Sequence, residues 1–143
     1  MKVPKTPRTP HLLRFDGEPI ELAPLIEAAR KLDLRVGWLD LGAPPDLQGP
    51  LAEAANLGVL RAVAVGGGRS VAIKPLRGTP VLRDVLREHF RGCALVVLRG
   101  ATDLPELARG DAQDEWLVRT GAGERATTAE RLVASLRSPK RLG

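Results

Sequence analysis

Gly66-Gly67-Gly68 is the one glycine triplet in the chain, and Arg69, Lys74 and Arg77 follow closely behind it. Consecutive glycines can turn several backbone N–H groups into one concavity, where neighbouring cations help to hold a phosphate or carboxylate. Thr79 is the expected N-cap of a helix with Pro80 at its first position, so the helix would add free N–H groups and partial positive charge. Gly66, Gly67, Gly68, Arg69, Lys74, Arg77 and Thr79 therefore form a candidate anion site. A hairpin that needs glycine only to turn is the competing account.

A second set is purely electrostatic. Arg83, Arg87 and Arg91 recur at i, i+4 and i+8, a ridge that can follow a phosphate backbone or an acidic protein surface. Its bland alternative is an exposed face with local pairs to Asp84 and Glu88. Lys2, Lys5 and Arg8 at one end, with Lys140 and Arg141 at the other, extend the same question to the tails. Residues 1–10 and 137–143 carry six bases and no acid, which leaves the rest of a +5 chain at −1. Within that remainder, residues 59–100 hold eight bases against Asp84 and Glu88, so the flanks are acidic by seven charges. A basic centre between acidic flanks can attract an anionic partner or a second copy of the chain.

Little else is equipped for catalysis. His11 adjoins the basic arm, His89 falls on the apolar stripe of a helix, and Cys93 opens an apolar strand with no setting that lowers its pKa. Two histidines and one cysteine do not make a conventional zinc site. The acids Asp103, Glu106, Asp111, Asp114 and Glu115 match no calcium loop. No cofactor and no metal is expected. The lone cysteine fits a reducing compartment, no apolar run approaches the roughly 20 residues of a membrane span, and no signal peptide follows the basic start. These features suggest a cytoplasmic protein.

Three short stretches resemble known motifs. Gly66 to Lys74, GGGRSVAIK, resembles the glycine loop and V-A-I-K strand of protein kinases, but no H-R-D or D-F-G follows. Thr120 to Ala126, TGAGERA, resembles a dinucleotide fingerprint in the turn from a strand to a helix, without the carboxylate that should follow about 20 residues later. TPRTP and SPKR in the tails resemble Ser/Thr-Pro-basic pieces of DNA minor-groove-binding tails. None extends far enough to imply a function alone.

The elements that must carry these residues read as follows. Val59–Val65 and Val71–Ile73 form a hairpin about the glycines. Val81, Leu82, Val85, Leu86, His89 and Phe90 line one side of a helix stopped by Gly92, and Cys93–Leu98 is a strand buried on both faces. Upstream, Leu12–Phe15 and Pro19–Leu22 read as a hairpin on Asp16-Gly17, with a continuous helix from Pro19 as the alternative. A helix from Pro24 buries Leu25, Ile26, Ala29 and Leu32; a strand covers 34–41, a loop 42–50, and a short helix 51–57. Downstream, Leu104–Ala108 reads as a helical turn capped by Asp103, and 115–119 as a strand. Thr127 or Thr128 caps a last helix that buries Ala129, Leu132, Val133 and Leu136.

Strands alternating with helices predict an α/β layered domain over 11–136 with a largely parallel mixed sheet, the central hairpin included, and helices on both faces. Residues 1–10 and 137–143 are expected to be a disordered arm and a basic tail. The expected function is a non-enzymatic binding or adaptor module for an anionic macromolecule, nucleic acid or acidic protein. A phosphate- or nucleotide-binding enzyme using the glycine loop, and a structural subunit of a homo- or hetero-oligomer, are the alternatives.

Overall fold

A computed structural model of the chain describes residues 10–41, 49–57, 59–100 and 103–138. In chain order its elements are β1 (His11–Arg14), α1 (Ala23–Lys31), β2 (Val36–Asp40), α2 (Pro50–Asn56), β3 (Ala62–Gly66) and β4 (Arg69–Ile73). They continue with α3 (Leu82–His89), β5 (Leu95–Arg99), β6 (Glu106–Arg109), β7 (Trp116–Thr120), β8 (Gly123–Thr127) and α4 (Ala129–Ser135). The result is an α/β fold that divides into two compact units, one of residues 1–42 and 86–143, the other of residues 43–85.

The first unit is built on a mixed six-stranded sheet in the order β2-β5-β1-β6-β7-β8. Leu95, Val96, Val97 and Leu98 are fully buried, which is why this unbroken apolar run takes the position between β1 and β2, parallel to both. His11 and Leu13 pair with Leu95 and Val97. Leu13, Leu95 and Val97 face a core closed by α1 and α4, which pack on each other. Each fully buried leucine or valine there contributes about 1.5–3 kcal/mol by leaving water. On the opposite face Gly37, paired with Val96, lies under the ring of Phe90: a Cβ at Gly37 would stand 2.5 Å from Phe90 Cδ1.

Local chemistry sets the helix ends. Thr128 Oγ1 accepts from the Arg131 amide at 3.2 Å, the expected cap, and Ala129, Leu132, Val133 and Leu136 are all buried. In α1 Leu25 and Ala29 are buried and Leu32 packs against the core, as expected, whereas Ile26 is half exposed and Ala28 is buried in its place. Asp33 follows this helix in the left-handed region at φ 55° and turns the chain toward β2.

The hairpin expected on Asp16-Gly17 does not form. Residues Pro19–Leu22 make a 3-10 turn leading into α1, held by a reciprocal pair of bonds between Glu18 and Glu21. The lead-in frees β1 to pair with β5 and β6. Nor is Leu104–Ala108 a helical turn: Glu106–Arg109 is β6, paired antiparallel with β7, and it alternates Leu107 into the core with Glu106 and Ala108 outward. Gly121-Ala122 turns β7 into a further strand, β8, so TGAGERA is a hairpin and not the strand-to-helix turn that a dinucleotide fingerprint needs.

The second unit contains α2 with the β3–β4 hairpin, which forms a sheet of its own and does not join the large one. The large sheet is mixed because of β6-β7-β8. Ala62 is the one buried hydrophobic residue of this unit among the described residues, while Val63, Val65, Val71 and Leu76 stand exposed. Among the described residues no helix is long and apolar enough to cross a membrane.

Candidate functional site

Gly67 and Gly68 take φ 57° and 75°, successive left-handed residues that make a two-residue hairpin turn between the paired Gly66 and Arg69. That conformation is what glycine is needed for, since an L side chain there meets its own carbonyl. A Cβ placed on Gly66, Gly67 or Gly68 would have nothing within 4 Å, so the turn projects alone and forms no walled cavity. Arg69 opens β4, Lys74 follows that strand partly buried, and Arg77 is exposed beyond it. Thr79 does not cap α3. The helix begins at Leu82, and the Val81 carbonyl accepts the first amides, those of Asp84 and Val85, at 3.0 and 3.2 Å. Residues 79–81 lie outside the helix, so Val81 takes the position expected of Thr79.

The helix carries two of the three arginines of the expected ridge. Arg83 and Arg87 are exposed one turn apart on α3, and Arg91 just beyond it donates to the Arg87 carbonyl at 3.0 Å. Gly92, at φ 84°, ends the helix. His89 is exposed, not part of the apolar stripe; its ring lies 3.8 Å from the Glu88 carboxylate and packs edgewise on Phe90. Cys93 is partly buried, and desolvation pushes its thiol pKa up against the opposing pull of Arg35. A raised pKa leaves less of the thiol as thiolate at neutral pH. Lys2, Lys5, Arg8, Lys140 and Arg141 lie outside the described residues, as do the ends of both expected tails.

Sequence reasoning missed a constellation in the first unit. Arg14, Glu106, Arg119 and Glu124 are register partners on four adjacent strands, β1, β6, β7 and β8, so their side chains form one alternating row across one face of the sheet. Arg14 Nη2 donates to Glu106 Oε2, Arg119 Nη1 donates to Glu106 Oε1 at 3.1 Å, and Arg119 Nε donates to Glu124 at 2.7 Å. The guanidinium of Arg14 holds the Glu106 carboxyl below the usual glutamate range against the opposing effect of burial, and Arg119 adds a lesser pull in the same direction. Glu124, then Glu106, raises the pKa of Arg119 further.

The row sits beside a cleft of about 490 Å³ where the parallel block gives way to the antiparallel strands, at the carboxyl end of β1. Open α/β sheets commonly bind ligands outside such carboxyl ends. Here the charges in the lining cancel, Arg14 and Arg119 against Asp103 and Glu106, and both guanidinium groups are already engaged. The row pins register at the step between the two halves of the sheet. No separation along the chain signals it, since Arg14 and Glu106 are 92 residues apart. Among the described residues no group of histidine, cysteine and carboxylates is arranged to hold a metal ion.

The ion pairs divide the arginines. Those that make them among the described residues, Arg14, Arg30 and Arg119, all lie outside residues 59–100. Arg69, Arg77, Arg83, Arg87 and Arg91 are exposed and make none among the described residues. No family model matches the chain, and no curated protein matches it.

Proposed function

We propose that this protein is a non-enzymatic binding module that engages an acidic protein surface through the exposed arginines of its central segment. The observation that carries the reading is the contrast just described: Arg69, Arg77, Arg83, Arg87 and Arg91 stand in solvent with no carboxylate partner among the described residues, although the acids that flank the segment in sequence are numerous enough to neutralise them. A guanidinium group with no carboxylate beside it keeps its full field, and its Nη donors, for an incoming carboxylate.

A nucleic acid offers the same charge, but single strands are usually also held by stacking on exposed rings. Phe15 and Trp116 are buried, Trp38 and Phe90 are partly buried, and residues 43–85 contain no aromatic residue. That segment offers aliphatic side chains instead, which suit a protein partner. The lone cysteine suits a reducing compartment such as the cytoplasm for this work.

The test is capture from native lysate by the full chain, with and without nuclease, beside a variant carrying Arg83→Glu, Arg87→Glu and Arg91→Glu. A protein retained after nuclease by the wild type and lost by the variant supports the proposal. Loss of everything on nuclease treatment assigns the arginines to nucleic acid.

A further inference from the structure

The β3–β4 hairpin is an incomplete sheet. It has two strands, each with one neighbour among the described residues, so each keeps an unpaired outer edge. In the register of the hairpin, Gly66 pairs with Arg69, Ala64 with Val71 and Ala62 with Ile73, each across a hydrogen-bonded position next to a two-residue turn. The intervening residues, Val63 and Val65 on β3, with Ser70 and Ala72 on β4, therefore direct their backbone N–H and C=O groups outward.

The two edges differ. β4 begins with Arg69 and runs into Lys74-Pro75, the charges and proline that ordinarily blunt an edge. From Ala62 to Gly66, β3 has no charge, no proline and no bulge. Its side chains are open as well: Val63 is 53% exposed and Val65 81%. α2 packs on this hairpin, yet it leaves that face uncovered. An uncharged, apolar, unpaired edge invites strand addition.

Charge selects what is added. Arg61 immediately precedes β3, Arg69 lies across the turn at its far end, and both are exposed without carboxylate partners among the described residues. Residues 43–85 carry Asp46, Glu53 and Asp84 against Arg61, Arg69, Lys74, Arg77 and Arg83. A second copy pairing β3 with β3 would set these like charges against each other, whereas an acidic strand would neutralise them.

We infer that the outer edge of β3 accepts an extended segment of an acidic partner protein, in which apolar side chains lie beside Val63 and Val65 and the carboxylates are drawn by the positive field around the strand, Arg61 at its start foremost. This rests on the acidic-protein reading above and adds the mode of recognition.

The probe is a synthetic alternating glutamate–valine peptide of about eight residues. It is titrated into the full chain by fluorescence anisotropy beside its lysine–valine counterpart and a version N-methylated on alternate backbone amides. The glutamate–valine peptide should bind, the lysine–valine peptide at least tenfold more weakly, and one N-methylation register should abolish binding. Val63→Pro, which removes an outward N–H and spares the β3–β4 ladder, should weaken binding at least tenfold, and Ala72→Pro on the other edge should not.

If the N-methylated peptides bind like the parent, strand addition is wrong while the acidic-partner reading stands. Equal binding of the glutamate and lysine peptides, or a single-stranded DNA oligomer that displaces the peptide, overturns both. A chain that elutes as a dimer dispersed by Val63→Pro would show that β3 pairs with its own copy, and the inference would fail.

Discussion

Replacing Glu106 by glutamine tests how far the charge row holds the two halves of the sheet in register. At neutral pH the Glu106 carboxylate accepts from Arg14 on β1 and Arg119 on β7, and about a quarter of its side chain is exposed. Hydrogen bonds to charged groups contribute about 1.5–3 kcal/mol when well buried, and solvent screening reduces that at an exposed site. Glutamine keeps one acceptor but loses the charge, so Glu106→Gln should cost about 1–2 kcal/mol at pH 7.

Because the folded protein holds this carboxyl below its ordinary pKa, the unfolded chain binds its proton more readily. The stabilisation is thus fully present above the ordinary glutamate pKa and disappears as pH falls through the folded value. Urea denaturation of both proteins at pH 7 and near pH 3 measures this, and the gap between them should close in acid. A gap of the same size at both pH values would refute the charge argument. So would a variant as stable as the wild type at pH 7. Arg14→Leu combined with Glu106→Leu should lose less than Glu106→Leu alone, since the pair leaves no unpartnered guanidinium.

Leu132→Ala, deep between α4 and the sheet, should cost about 2–5 kcal/mol in urea denaturation with little change in the slope, as expected for a cavity at a position 1% exposed. Gly67→Val forces a β-branched side chain into φ 57°; the roughly 1–2 kcal/mol of strain should raise hydrogen exchange in β3 and β4 while the amides of β1 and β5 stay protected. Alkylation of Cys93 by iodoacetamide at pH 8 should be slower than that of a free cysteine peptide, because burial raises its pKa. A rate equal to the peptide's would show an open thiol.

Where a segment's own composition decides its structure, the sequence was readable. The run to Leu98 is apolar on both faces and can only be an interior strand; Thr128 caps α4 by a bond to an amide three residues away; Gly67-Gly68 turns a hairpin by local backbone sterics. Distant partners decided the rest. Leu104–Ala108 carries good helix formers behind an aspartate, but β7 supplies a ladder for Glu106–Arg109, and four residues are too few to display alternation. Gly123–Thr127 has almost no apolar content because it is an exposed edge strand, and its glycines suggested a helix start. α3 starts at Leu82, beyond the Thr79-Pro80 pair whose types suggested its first turn. The charge row joins residues from four strands and so left no trace in local spacing. The arginines of 59–100 were visible as charge, but only the folded chain shows that those of the ridge make no ion pair among the described residues.

The central claim is that these exposed arginines bind carboxylate-rich protein. It is measured most directly by titrating labelled oligoglutamate into the wild-type chain and into the Arg83→Glu, Arg87→Glu, Arg91→Glu variant at low salt and again near 0.15 M, where charges beyond about 8 Å are screened. Binding by the wild type that weakens with salt and falls at least tenfold in the variant is the result this account predicts. Equal affinity of the two proteins, or no binding by either at low salt, would contradict it.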